Sequence, residues 1–314
     1  MTKKVSYAGL LAISFLLVAR PGLRAQEAVA VITELKLNRG DVEIRLPGGS
    51  GPERPAVLQS LYPGTQIRAS KDASAVILFT DGMKSVTVDE KNSPFEVKAS
   101  PGKAGGSGAG VKQLAGLLLG KKRPPAYVPL ATRGSAKPPT LLSPRNTKVI
   151  TPAPSFQWMG MDRQEGTVKV FGPEGLIWTA ENIALTQIRY PPTALSLKPG
   201  VEYYWTLEKK GLPSQKTTFK IVGPDEFKTI QDGLDSLQQA TGLSKTTLAI
   251  LKAGLLISNE VYYEAREAVV EAVNADPDEP TLHFLLGEIY EKTGLRSLAA
   301  EEYGEAEFLL KQRP

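Results

Sequence analysis

The chain has 314 residues, of which 41% are hydrophobic and 23% charged, with one histidine and no cysteine. That length supports two or three cores. The missing cysteines exclude disulfides, thiolate metal sites and Cys-His catalysis, and a lone histidine leaves Ser-His-Asp catalysis a single place to run. The formal charge of +5 is a sum of opposites, with −1 over residues 26–100, +7 over 101–140, +4 over 141–223 and −9 over 224–314. A basic total built this way does not argue for nucleic acid, and no nucleic-acid partner is expected.

Residues 1–25 read as a secretory signal peptide. Lys3 and Lys4 form the positive end, residues 5–19 an apolar core, Pro21 and Gly22 a break, and Ala25 a small residue for cleavage. A spanning helix needs about 20 apolar residues, so membrane contact is expected only through this segment, if it stays uncleaved. The predicted location is exported, periplasmic or cell-envelope associated, and an exported chain without cysteine suits a bacterial envelope.

Residues 29–100 carry a β pattern. "VITELKL", "DVEIRL", "TQIRAS", "SAVILFT" and "KSVTV" are separated by turn signals at Arg39-Gly40-Asp41, Pro63-Gly64 and Asp81-Gly82. Short strands without an intervening helix predict an all-β module. Leu61, Pro63, Gly64, Ile67, Val76, Leu78, Asp81 and Gly82 give this stretch a pattern that resembles the FecR-type domain, a small all-β module of bacterial envelope proteins. The best-known members of that family are signal-transducing regulators with a cytoplasmic segment before a membrane helix. The few residues ahead of the apolar segment leave no room for such a segment, so the regulator role is not expected here.

Residues 101–140 are rich in glycine, proline and lysine and predict a linker. "VKQLAGLLLG" within it fits a short helix that packs on a neighbouring domain or docks a partner. The basic run Lys121, Lys122 and Arg123 is the candidate site for a polyanion.

Alternation returns over 141–223 in "SFQWMG", "GTVKVFG", "GLIWTA", "ALTQIRY", "VEYYWTLEKK" and "KTTFKIV", enough strands for a β-sandwich. Counting by two places Tyr203, Trp205 and Leu207 on one face and Glu202, Tyr204 and Glu208 on the other. Trp158, Tyr203 and Trp205 are expected in the core, and Tyr204 points away. "LKPGVEYYWTL" resembles the fibronectin type III signature, in which a leucine and a PG turn precede a tyrosine-bearing strand.

From residue 224 the pattern becomes helical: one amphipathic helix over "DEFKTIQDGLDSLQQATG", then four shorter ones. Thr246 and Pro280 open two units 34 residues apart, 246–279 and 280–313. Small residues recur at matching places, Ala253 with Gly287, Ala265 with Ala299, and Ala272 with Ala306. This spacing resembles the tetratricopeptide repeat, with Leu286, Gly287 and Tyr290 the clearest match. About three such units are normally needed for stability, and the helix at 225–241 is expected to supply the missing cap. The resemblance implies a groove lined by exposed first-helix positions Thr247, Ile250, Ile257, Thr281, Phe284, Glu288 and Glu291, the candidates for binding a protein or peptide partner.

His283 falls where the repeat has a large aromatic and is expected to pack. No HExxH spacing or second histidine accompanies it. Glu264, Glu267, Glu271, Glu301, Glu302 and Glu305 are expected on solvated helix faces. "GLLLGKK" is too short before its GK for a phosphate loop. The chain is therefore expected to combine β modules with an α-helical repeat, with no catalytic residues, cofactor or metal. Its expected role is a non-enzymatic binding or scaffold protein mediating protein–protein interactions in the bacterial envelope. The alternative is a cell-wall or polysaccharide-associated protein that binds anionic envelope polymer through its β modules and basic linker.

Overall fold

The computed structural model describes residues 27–80, 85–98, 139–160, 165–209 and 214–311. The expected signal segment, "VKQLAGLLLG", and Lys121, Lys122 and Arg123 lie outside the described residues.

The first β region comprises β1 (Ala30–Lys36), β2 (Val42–Arg45), β3 (Ser60–Leu61), β4 (Gln66–Ala69), β5 (Ser74–Phe79), β6 (Ser85–Val88) and β7 (Phe95–Glu96). They form two antiparallel sheets, ordered β3-β1-β5-β6 and β2-β4-β7, around a core that includes Ile32, Leu35, Ile44, Leu61, Ile67 and Ile77. Strand β2 follows the pleat, with Val42 and Ile44 buried and Glu43 and Arg45 exposed. Strand β1 does not. Ala30 and Ile32 face this core, so strict alternation would bring Glu34 in next. A register shift against β5 between Ile32 and Glu34 prevents that and turns Leu35 inward instead. Val31 packs into the helical core instead, and the Thr33 and Glu34 side chains bond to Thr247 in the helical region.

The second β region comprises β8 (Thr140–Ser143), β9 (Thr147–Val149), β10 (Ser155–Met159), β11 (Gly166–Gly172), β12 (Gly175–Ile183), β13 (Gln187–Arg189), β14 (Glu202–Glu208) and β15 (Gln215–Ile221). One sheet runs β13-β10-β8 and the other β12-β11-β14-β15-β9, with β9 parallel to β15 and every other pair antiparallel. Between them lie Phe156, Trp158, Tyr190, Tyr203, Trp205 and Phe219. The Phe156 and Trp205 ring centroids are 5.1 Å apart. The Trp205 Nε1–H donates to the Pro144 carbonyl at 2.7 Å, so this indole is buried without an orphaned donor. The Tyr203 hydroxyl accepts from the Lys198 amide at 2.8 Å and pins the PG turn ahead of β14. Gly64 and Gly200, the glycines of the two PG turns, have φ of +86° and +76°, a region where a Cβ is strained.

Five helices follow among the described residues: α1 (Pro224–Gln238), α2 (Lys245–Ser258), α3 (Tyr262–Ala275), α4 (Pro280–Lys292) and α5 (Arg296–Lys311). They lie against one another in sequence order. Where α4 meets α5, a Cβ on Gly287 would stand 2.6 Å from the Tyr303 ring, so the helices approach to a distance only glycine permits. Helix α1 meets α2 by the same device, since a Cβ on Gly233 would come within 2.8 Å of Leu255. The first helix thus packs on the first pair, where the cap was expected.

The helical core is not confined to helices. Val31, Val57, Leu58 and Leu78 of the first β region belong to it together with Ile250, Leu256, Leu285 and Ile289. Leu142, Ile150 and Val222 join it from the other side. Mixed β and α architecture is therefore built as one packed body. No helix among the described residues is long and apolar enough to cross a membrane.

Candidate functional site

Helices α2 and α4 have 14 and 13 residues and rise about 20 Å. Their N-termini meet strand β1, and the turns after their C-termini meet the β8–β9 region. The helical layer therefore has two occupied ends.

At the first end, Glu279 precedes Pro280 and caps α4, its carboxylate accepting from the Thr281 amide at 3.1 Å. The same carboxylate accepts from the Leu35 amide at 3.2 and 3.0 Å. β3 covers only the Ala30 and Val31 end of β1, so Glu279 supplies the acceptor that a neighbouring strand would have given Leu35. Lys36 Nζ lies 3.6 Å from Glu279 and pairs more closely with Asp276. Glu34 accepts from the hydroxyls of Ser244 and Thr247 on α2, and the Thr33 and Thr247 hydroxyls are 3.0 Å apart. Burial pushes the Glu279 carboxyl up to about 7, with Lys36 and the two amides acting against it.

At the second end main-chain carbonyls join side chains as acceptors. The Thr293 carbonyl closing α4 receives Arg145 Nε at 2.9 Å and Asn146 Nδ2 at 3.2 Å. The Glu260 carbonyl after α2 receives the Lys148 amide at 2.9 Å. Lys148 Nζ bridges Glu226 and Glu260 at 2.7 and 2.9 Å. Glu264 on α3 accepts from the Ile150 and Thr151 amides at 2.7 and 3.0 Å. Its second oxygen is buried without a hydrogen-bond partner, and burial pushes this carboxyl up to about 7 against those two amides. The Tyr263 hydroxyl accepts from the Ser155 amide at 2.9 Å, and Arg266 donates to Gln157 at 2.7 Å.

This arrangement corrects the expected open groove. Thr247, Ile250, Ile257, Thr281 and Phe284 are buried, not exposed. Phe284 packs against the Tyr303 ring at 5.7 Å. Glu288 and Glu291 are half-buried, and Glu291 accepts from the Tyr303 hydroxyl at 2.9 Å. The 34-residue spacing marks which helix positions turn inward, and here inward positions are covered by β1 and by neighbouring helices.

Two expected surface carboxylates are also corrected. Glu264 is half-buried and is the acceptor just described. Glu302 reaches His283 Nδ1 at 2.8 Å, while His283 Nε2 lies 2.8 Å from the Pro277 carbonyl. Both ring nitrogens thus face acceptors, which favours the doubly protonated ring, and the Glu302 bond chiefly raises the His283 pKa above its ordinary value. His283 packs, as expected, but as an ion-paired residue. Glu267, Glu271, Glu301 and Glu305 are exposed.

Trp158, Tyr203 and Trp205 are core residues. Tyr204 points outward with Phe171 stacked on one ring face at 4.5 Å and Lys216 Nζ 3.7 Å from its centroid. With both faces occupied, this ring offers no open stacking surface. Among the described residues no three His, Cys, Asp or Glu side chains converge to hold a metal ion.

Sequence reasoning passed over Glu279 and Glu264 because isolated carboxylates on an acidic helix resemble solvated ones. The retrievable signal was position: Glu279 stands directly before a proline that opens a helix, where a side-chain acceptor is wanted. No protein-family model matches this chain, and neither does any curated protein.

Proposed function

We propose that the chain is a non-enzymatic scaffold of the bacterial envelope that holds two β modules at opposite ends of a helical spacer and presents them to protein partners. What supports this most directly is the acceptance of the Leu35 amide by Glu279. The helical layer recognises a strand edge of its own chain, so its work is holding, and the surfaces left for partners are the outward faces of the β modules and helices. In this reading the first module is FecR-like, the helices are tetratricopeptide-like, and the chain is exported. The second module is fibronectin type III-like, which its paired sheets and the Tyr203 bond back to Lys198 support.

The test is affinity capture from a bacterial envelope extract with the full exported chain, repeated at low and high salt. Recovery of defined proteins whose capture survives high salt supports the scaffold. Recovery of only anionic polymer, lost as salt rises, would replace it with the polymer-binding alternative.

A further inference from the structure

Glu279 and Glu264 share an unusual placement. Each sits on the helical layer and reaches backbone N–H of a different β region; Glu279 is fully buried, and half-buried Glu264 hides one carboxyl oxygen from water. We propose that these two carboxyls form a pH-operated latch, holding the β regions against the helices when protonated and loosening them when ionised. The proposal concerns contacts within the chain and stands apart from the identity of any partner.

Burial sets the sign, and the charges around each group do not reverse it. Around Glu279, β1 contributes Lys36 and Glu34, the turn before α4 contributes Asp276, and α4 contributes His283. Lys36 is shared with Asp276, Glu34 is engaged by Ser244 and Thr247, and His283 is turned to Glu302 and Pro277. No cation is dedicated to Glu279. Around Glu264, β9 contributes Lys148, which is taken by Glu226 and Glu260. Helix α3 contributes Glu267, which opposes ionisation, and Arg266, which is turned to Gln157.

An ionised carboxylate held in either place gives up hydration that release would restore, whereas the protonated acid gives up far less. The carboxylate oxygens already accept amide bonds, so the neutral acid keeps an acceptor for them. Both carboxyls are pushed up to about 7 in place from an ordinary 4.5, and each pH unit of that separation shifts the opening equilibrium about tenfold. Opening therefore grows as pH rises from the ordinary carboxylate range through neutrality and then levels off.

The chain has no cysteine, so paired spin labels can be placed freely on the full exported chain. Lys91→Cys with Lys252→Cys reports the first end, and Glu181→Cys with Lys252→Cys the second; all three positions are exposed. At about pH 5 each pair should give one narrow distance distribution, and at about pH 8 a longer, broader component should grow at least tenfold. Glu279→Gln should keep the first pair narrow at both pH values, and Glu264→Gln the second. Lys36→Met loses its Asp276 pair at both pH values and its Glu279 contact only where Glu279 is ionised, so it should open the first end further at the higher pH than at the lower one, which keeps the proposal testable if a glutamine variant misfolds. Distances that do not change with pH, glutamine variants that move with the parent, or a Lys36→Met effect equal at both pH values would overturn the latch.

Discussion

The two ends of the helical layer are fastened by different chemistry. At the β1 end the acceptors are side chains: Glu279 for the Leu35 amide, Glu34 for Ser244 and Thr247, and Asp276 for Lys36. At the sandwich end, Arg145, Asn146 and the Lys148 amide mostly reach carbonyls that close helices. A carbonyl cannot be removed by substitution and does not titrate near neutrality, and Thr293 receives two donors at once. The first end is therefore the more breakable by mutation, and the second is buffered by redundancy.

The sharpest way to break the contrast is Glu279→Ala. It orphans the buried Leu35 amide and uncaps α4, together about 3 kcal/mol of stability, to be read by denaturant unfolding near pH 6. Next comes Gly287→Leu, which forces a side chain into the space of the Tyr303 ring. It should cost about 2 kcal/mol by overpacking, and Tyr303→Ala in the same chain should return part of that loss. Arg145→Ala tests the buffered end: Asn146 still reaches Thr293, so the loss should be about 1 kcal/mol. A larger loss there than for Glu279→Ala would reverse the comparison.

The two ends should nonetheless meet pH in the same way. For Glu264 and Glu279, folded values raised to about 7 from 4.5 mean that protonation favours the folded chain. Their stabilisation is full below the ordinary value and is lost as pH rises through about 7. His283, raised from 6.5 through Glu302, adds the same sign, present below its ordinary value and lost as pH climbs past its elevated one. Thermal unfolding should therefore show a lower midpoint at about pH 8 than at about pH 5.5. His283→Gln, the smallest expected effect, should cost under about 1 kcal/mol and cost more at the lower pH, because an amide group cannot donate to both Glu302 and Pro277 as the imidazolium does.

Much of the element order was legible in the sequence, because the continuous apolar run "SAVILFT", the alternation in "VEYYWTL" and the helical spacing after residue 224 are local signals. The strands that escaped notice, β3, β7, β8 and β9, have two to four residues, too short for a period to show. Strand β12 runs on to Ile183 past the apolar "GLIWTA" stretch, because its pairing with β11 continues through polar residues. The candidate site was the least legible part. Thr247 and Phe284 were expected as exposed groove positions, yet nothing local announces that a strand more than two hundred residues earlier covers Thr247 or that the Tyr303 ring packs on Phe284. Long-range packing decided exposure, and periodicity reports only direction.

The register shift in β1 has a consequence of its own. Because Leu35 faces one interior while Thr33 and Glu34 engage the helices, β1 has no outward side on which changes would go unnoticed. Removing Thr33 or Glu34 would restore simple alternation with Leu35 still inward, at the cost of one of the two side chains that reach Thr247. The strand is a hinge pin common to two leaves, and a fault in it would be felt by both at once.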